Sequence, residues 1–93
     1  MIGSIRHKGL RRLFEAGDGK LLRSDMAPRL RRMLSAIHAA EELAELESVA
    51  GWRLHALKGN LKGLWSLSVS GNWRLVFRWD KGIATDIDLV DYH

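Results

Sequence analysis

The sequence predicts a single α+β domain, with helices at the N-terminal side packed on one face of a mainly antiparallel sheet. Three observations carry this expectation. Apolar residues recur at helical spacing through the first half, the period switches to two from Trp52, and the last three strand-like runs are separated only by tight turn signals.

Ile2 to Arg6 alternates weakly and is a candidate first strand. Leu10, Leu13 and Phe14 then fall at i, i+3, i+4, with Gly17 where a left-handed cap would end a helix of about two turns. Asp18-Gly19 signals a turn. A second helix starts near Ser24 or Asp25, either of which can cap it, and Pro28 falls in or near the first turn, where its missing donor costs little. Met26, Leu30, Met33, Leu34 and Ile37 form its apolar stripe, with Arg29, Arg31 and Arg32 directed largely away. Such a stripe is core packing. Glu41 to Val49 predicts a short acidic helix or helical turn ended by Gly51.

In the second half, Trp52, Leu54 and Ala56 alternate with Arg53, His55 and Leu57. Trp65, Leu67 and Val69 alternate with Ser66, Ser68 and Ser70. Gly71-Asn72 marks a hairpin turn. Trp73, Leu75, Phe77 and Trp79 alternate with Arg74, Val76 and Arg78. After the turn Asp80-Lys81-Gly82, the expected inner face of the last strand is Ile83, Thr85, Ile87 and Leu89. Short connections between consecutive strands make this an antiparallel meander. The loop from Lys58 to Gly63 is the most conspicuous irregular segment.

Ninety-three residues suit one domain, residues 1–93, whose modest core is expected to draw on the four tryptophans. Without cysteine there is neither a disulfide framework nor a thiolate zinc site. No apolar stretch is long enough to span a bilayer, and the basic N-terminus lacks the apolar block of a signal peptide, so a cytoplasmic protein with no membrane partner is expected. The net charge of +4 is unevenly spread. Residues 1–38 hold nine Lys/Arg against three Asp/Glu, whereas residues 39–51 hold four Glu and no base. A basic half suits a polyanion such as RNA, although a solvated helix face has the same composition.

The alternate strand positions would place Arg53, His55, Arg74 and Arg78 on the sheet face away from the helices, as a concave basic surface. Lys58 follows the strand bearing His55, and the last strand would bring Asp91, Tyr92 and His93 to an edge or end of that face. Imidazoles, a carboxylate, a tyrosine and cations are what RNA transesterification can use, because the 2′-hydroxyl already lies beside its phosphate. Singly, each residue also fits a plainer role: His55 as a surface histidine, Lys58 as a solvated loop residue, Arg74 as a cross-strand partner of Asp86 or Asp88, and Asp91-Tyr92-His93 as a polar terminus. His7, His38, His55 and His93 share no short ligand spacing, which argues against a metal site.

Together these pieces are more specific. His55-Ala56-Leu57-Lys58-Gly59, Gly63-Leu64-Trp65-Ser66-Leu67, Asn72-Trp73-Arg74-Leu75 and Asp91-Tyr92-His93 resemble the HigB toxins of the RelE/ParE superfamily. The opening His7-Lys8-Gly9-Leu10 with Leu13-Phe14 is similar to the start of the same family. Ala56 departs from it, standing where a proline is common after the histidine. The resemblance implies a RelE-like fold and a type II toxin: an mRNA interferase that enters the ribosomal A site and cleaves the message to a 2′,3′-cyclic phosphate and a 5′-hydroxyl, with no metal or other cofactor. It implies a HigA-like helix-turn-helix antitoxin, the 70S ribosome with mRNA as target, and operator DNA bound only through the antitoxin complex.

By the same resemblance His55, Lys58, Asp91, Tyr92 and His93 match the family's active-site positions, and Arg74 a basic position near the scissile phosphate. His93 is expected to transfer a proton, with Asp91 orienting it or acting as base, and His55 is the other acid or base. Lys58 and Arg74 would stabilise transition-state charge, and Tyr92 would stack on a base or hydrogen-bond near the 2′-oxygen. Arg53 and Arg78 on the sheet, with Arg11, Arg12, Lys20, Arg23, Arg29 and Arg32 on the helical half, are candidate RNA or ribosome contacts. Two other outcomes compete: a ParE-like inhibitor of DNA gyrase, which has no need of the terminal triad, and a plain RNA-binding module, which needs only the basic surface.

Overall fold

The computed structural model describes residues 1–92, so His93 lies outside the described residues. Helix α1 (Lys8–Ala16) buries Leu10 and Leu13. His7 caps its start, with Nδ1 accepting the Leu10 amide at 3.2 Å. Gly17, at φ 68°, closes its end by donating to Leu13 O. Helix α2 (Ala27–Ala39) buries the whole predicted stripe from Met26 to Ile37. Its start differs from expectation. Neither Ser24 nor Asp25 caps it: Arg23 O accepts the amides of Met26 and Ala27, while Asp25 pairs with the Arg23 guanidinium. Pro28 does sit in the first turn. Helix α3 (Leu43–Glu47) is short, yet a reciprocal capping box of Glu42 and Glu45 fixes it and lets Leu46 enter the core.

The sheet is an antiparallel meander in the order β1 (His55–Ala56), β2 (Trp65–Ser70), β3 (Trp73–Asp80), β4 (Ile83–Asp91). Strand β1 is much shorter than the alternation from Trp52 to Leu57 predicts. Arg53 takes φ 50°, which bends the chain, so Trp52 dives into the core while His55 and Ala56 are both exposed. The Ile2–Arg6 segment forms two isolated parallel bridges with β4, Ile2 to Ala84 and Ile5 to Ile87, rather than a continuous strand.

One core lies between the helices and the inner sheet face, built from Leu10, Leu30, Met33, Leu34 and Ile37 against Leu67, Leu75, Phe77, Ala84 and Ile87. Of the tryptophans only Trp52 is fully part of it; Trp65, Trp73 and Trp79 pack partly buried around its margin. The expected inner face of β4 holds for Ile87 and Leu89 only. An irregularity between Val76 and Arg78 in the β3–β4 register, with Asp86 at φ 54°, shifts the alternation, so Ala84 is buried and Ile83 is exposed.

Candidate functional site

Cross-strand register builds the outer sheet face row by row. His55 opposes Ser66, Ser66 opposes Val76, and Val76 opposes Asp88, one row across all four strands. The next row is Ser68, Arg74 and Val90. Strand alternation continues that face from Val90 to Tyr92, whose amide donates to Asn72 O at 2.7 Å. His55 and Asp88 thus occupy opposite edges of the sheet, about 14 Å apart from three strand spacings, with Arg74 on β3, one of the two strands between, in the neighbouring row. Asp91 ends β4 in register with Trp73.

The segment after β1 folds back over this face. Leu57 N donates to Leu64 O at 2.9 Å, and a 3₁₀ turn over Gly59–Leu61 rounds the loop. Lys58 sits exposed at the start of that turn. Gly63, at φ 98°, leaves room for Arg78, whose Nε pairs with Asp86 Oδ2 at 3.4 Å. This clasp links the loop to β4. Between them opens a cleft of about 210 Å³. Leu57, Leu61 and Leu64 form one wall and Val76 and Val90 the floor; Arg6, Asp86, Asp88, Asp91 and Tyr92 border the other side.

The expected uniformly basic face is therefore divided. Arg78 is partnered by Asp86, which is the ion pair that the sequence left open for Arg74. Arg74 instead braces the β2–β3 hairpin, Nη1 donating to Gly71 O (2.8 Å) and Trp73 O (3.1 Å). Arg29 does not point away: Nη2 donates to Gly51 O and Ser68 O, both at 3.1 Å, tying α2 to β2. Arg29, Arg53 and Arg74 together edge a shallow groove of about 280 Å³ beside Ser68 and Ser70. A hollow of about 560 Å³ is larger, but it opens beside Met1, His38 and Trp79, away from every predicted site residue.

Of the predicted residues, His55, Arg74 and Tyr92 share the outer face, and Asp91 and Tyr92 border its cleft. His55 is exposed, with Nδ1 3.3 Å from Arg53 O. Arg11, Arg12, Lys20, Arg23 and Arg32 stand on or between the helices, which pack on the other face; Arg12 pairs with Asp18 and Arg23 with Asp25. Among the described residues no group of three or more His, Asp or Glu is placed to hold a metal. Sequence reasoning missed the acidic border, Asp86 and Asp88, and the leucine wall. Their signal was present as two carboxylates at alternate positions of the last strand, between Thr85 and Val90. It also missed Ser66, which is buried in the His55 row with its hydroxyl unpartnered among the described residues.

A family model described as "RelE-like toxin of type II toxin-antitoxin system HigB" matches residues 3–93. A Proteus vulgaris protein named Endoribonuclease HigB is 40% identical over 93 residues, the full length of both chains. A Vibrio cholerae serotype O1 protein named Toxin HigB-1 is 37% identical over 65 residues, 70% of this chain and 68% of that one.

Proposed function

The chain belongs to the RelE-like HigB toxins of type II toxin–antitoxin systems, and from that premise we propose that it is a ribosome-dependent endoribonuclease that cuts mRNA in the A site and so inhibits translation. The observation that carries this reading is the outer sheet face, which His55, Arg74 and Tyr92 share. The name of the full-length Proteus vulgaris relative, an endoribonuclease, supports the same chemistry.

In the proposed reaction the message's 2′-oxygen attacks the adjacent phosphorus. A base among Asp91, His93 and His55 takes the 2′-hydroxyl proton. The P–O5′ bond breaks, and an acid from the same set protonates the departing 5′-oxygen. The products are a 2′,3′-cyclic phosphate and a 5′-hydroxyl. Arg74 and Lys58 offset the charge that builds on the phosphoryl oxygens, a term worth about 10²–10³ in rate per donor at comparable sites. Tyr92, exposed at the cleft mouth, offers a ring for stacking.

Toxins of this family pair with an antitoxin. A HigA-like helix-turn-helix protein is the proposed partner here, and operator DNA is reached through that complex. No helix among the described residues is long and apolar enough to cross a membrane; action on ribosomes places the proposed site of work in the cytoplasm. The test is expression of wild type and His93→Ala in bacteria, with message ends mapped and growth followed. Codon-phased cuts in the wild type and their loss in the variant are expected. Growth arrest without such cuts, together with gyrase inhibition, would replace the nuclease reading with the ParE-like one.

A further inference from the structure

Asp86 and Asp88 are out of place on a surface that must accept a polyanion. A phosphate led through their cleft would meet three carboxylates, Asp86, Asp88 and Asp91, against the one guanidinium of Arg6 among the described lining residues, while the arginine groove beside Ser68 and Ser70 offers it Arg29, Arg53 and Arg74. The cleft therefore suits something uncharged and flat with hydrogen-bond donors on its edge. Its volume of about 210 Å³ far exceeds the roughly 10–15 Å³ that one water needs on the same measure. That is room for a planar ring. The leucine wall and the valine floor would contact the ring's faces, with Tyr92 at the mouth. Carboxylates accept from exocyclic amino groups of bases. The contacts of both leave an oxygen over: Asp86 uses Oδ2 for Arg78, and Asp88 uses Oδ1 to accept the Leu89 amide.

We propose that this cleft is the base-reading pocket of the site, holding one nucleobase of the bound message and selecting, through Asp88 with Asp86 beside it, an amino-bearing edge over uracil. Asp88 is the stronger member because it stands directly across from Val76 on the floor. The inference rests on the nuclease reading for its biological sense, but its physical test does not.

The test uses the full chain with methyl groups labelled, titrated with trimers of deoxyadenylate, deoxycytidylate and deoxyuridylate. These lack the 2′-hydroxyl and cannot be cut. Signals of Leu57, Leu64, Val76 and Val90 should shift with the adenine and cytosine trimers at about tenfold lower concentration than with the uracil trimer. Asp88→Asn should erase that difference while retaining binding through the arginine groove, and Asp86→Asn should reduce it. Equal response to all three trimers, silent methyls, or an unchanged preference in Asp88→Asn would overturn the proposal. So would methyls that answer a short arginine-rich peptide and no trimer, since the cleft would then be a protein-docking site. If the wild type cuts no message but the methyls still discriminate bases, the nuclease reading falls and the pocket stands.

Discussion

Gly63→Ala tests the clasp that shapes the cleft. At φ 98° the backbone is in a region an L side chain rarely adopts, and such a conformation costs about 1–3 kcal/mol. The new Cβ would also stand 3.1 Å from Arg78 Nη1. Arg78 is half-exposed and can yield, but yielding strains its pair with Asp86, an exposed bridge worth at most about 1 kcal/mol. The backbone term dominates, and the whole is about 2 kcal/mol, or roughly 8–16 °C in Tm for a domain of this size. Thermal and urea unfolding of Gly63→Ala, Arg78→Ala and the double variant measure it. Gly59→Ala is the control, since its φ of 67° is ordinary left-handed geometry with nothing within 4 Å of the new Cβ. The expected order places Gly63→Ala as the costliest single change, with most of its cost kept when Arg78 is already alanine. A loss below about 0.5 kcal/mol, the scatter of neutral surface changes, would refute the strain argument. Full rescue by Arg78→Ala would assign the cost to the contact instead.

Two further outcomes follow from particular side chains. Ser66→Ala removes a buried hydroxyl that lacks a partner among the described residues, so it should raise stability by about 1 kcal/mol; a loss of that size in urea unfolding would show that the hydroxyl is satisfied. The Asp18 carboxyl is held below its ordinary 3.8 mainly by the Arg12 side chain and then by the Lys20 amide, and Glu45 is held below 4.5 by the amides of Glu42 and Glu41. A depressed folded-state value contributes stability that is whole above the unfolded value and is lost as pH falls through the folded one. Asp18→Asn and Glu45→Gln should therefore trail the wild type at neutral pH and converge with it in strong acid, well below 3.8 and 4.5 respectively. A gap in unfolding midpoints that stays constant with pH would contradict the linkage.

Local chemistry was legible wherever one residue type has one use. Gly17 had to cap α1, and the Met26-to-Ile37 stripe had to face the core. Meander order followed from the turn signals. What stayed hidden depended on partners distant in sequence. The cap at α2 passed from Asp25 to a backbone carbonyl because Asp25 found Arg23. The phase of β4 turned on an irregularity opposite Phe77, and a slip of one residue exchanges faces, so Ala84 rather than Ile83 is inside. For the site, strand alternation was enough to put His55 and Arg74 on the face away from the helices, where the register has them, while their chemical roles stay proposals. The loop folding that adds leucines and aspartates to the face could not, since it rests on Gly63 making room for Arg78 and on Asp86 pairing with it. His93 lies outside the described residues, and its expected role stays a proposal.

The most direct measurement places the purified protein with ribosomes carrying a defined message and determines both new RNA ends. Cuts confined to the A-site codon, a 2′,3′-cyclic phosphate on one side and a 5′-hydroxyl on the other, all lost in His93→Ala, are the predicted result. Equal cutting of the same message without ribosomes, or intact message beside wild-type protein that still arrests growth, would contradict a ribosome-dependent nuclease.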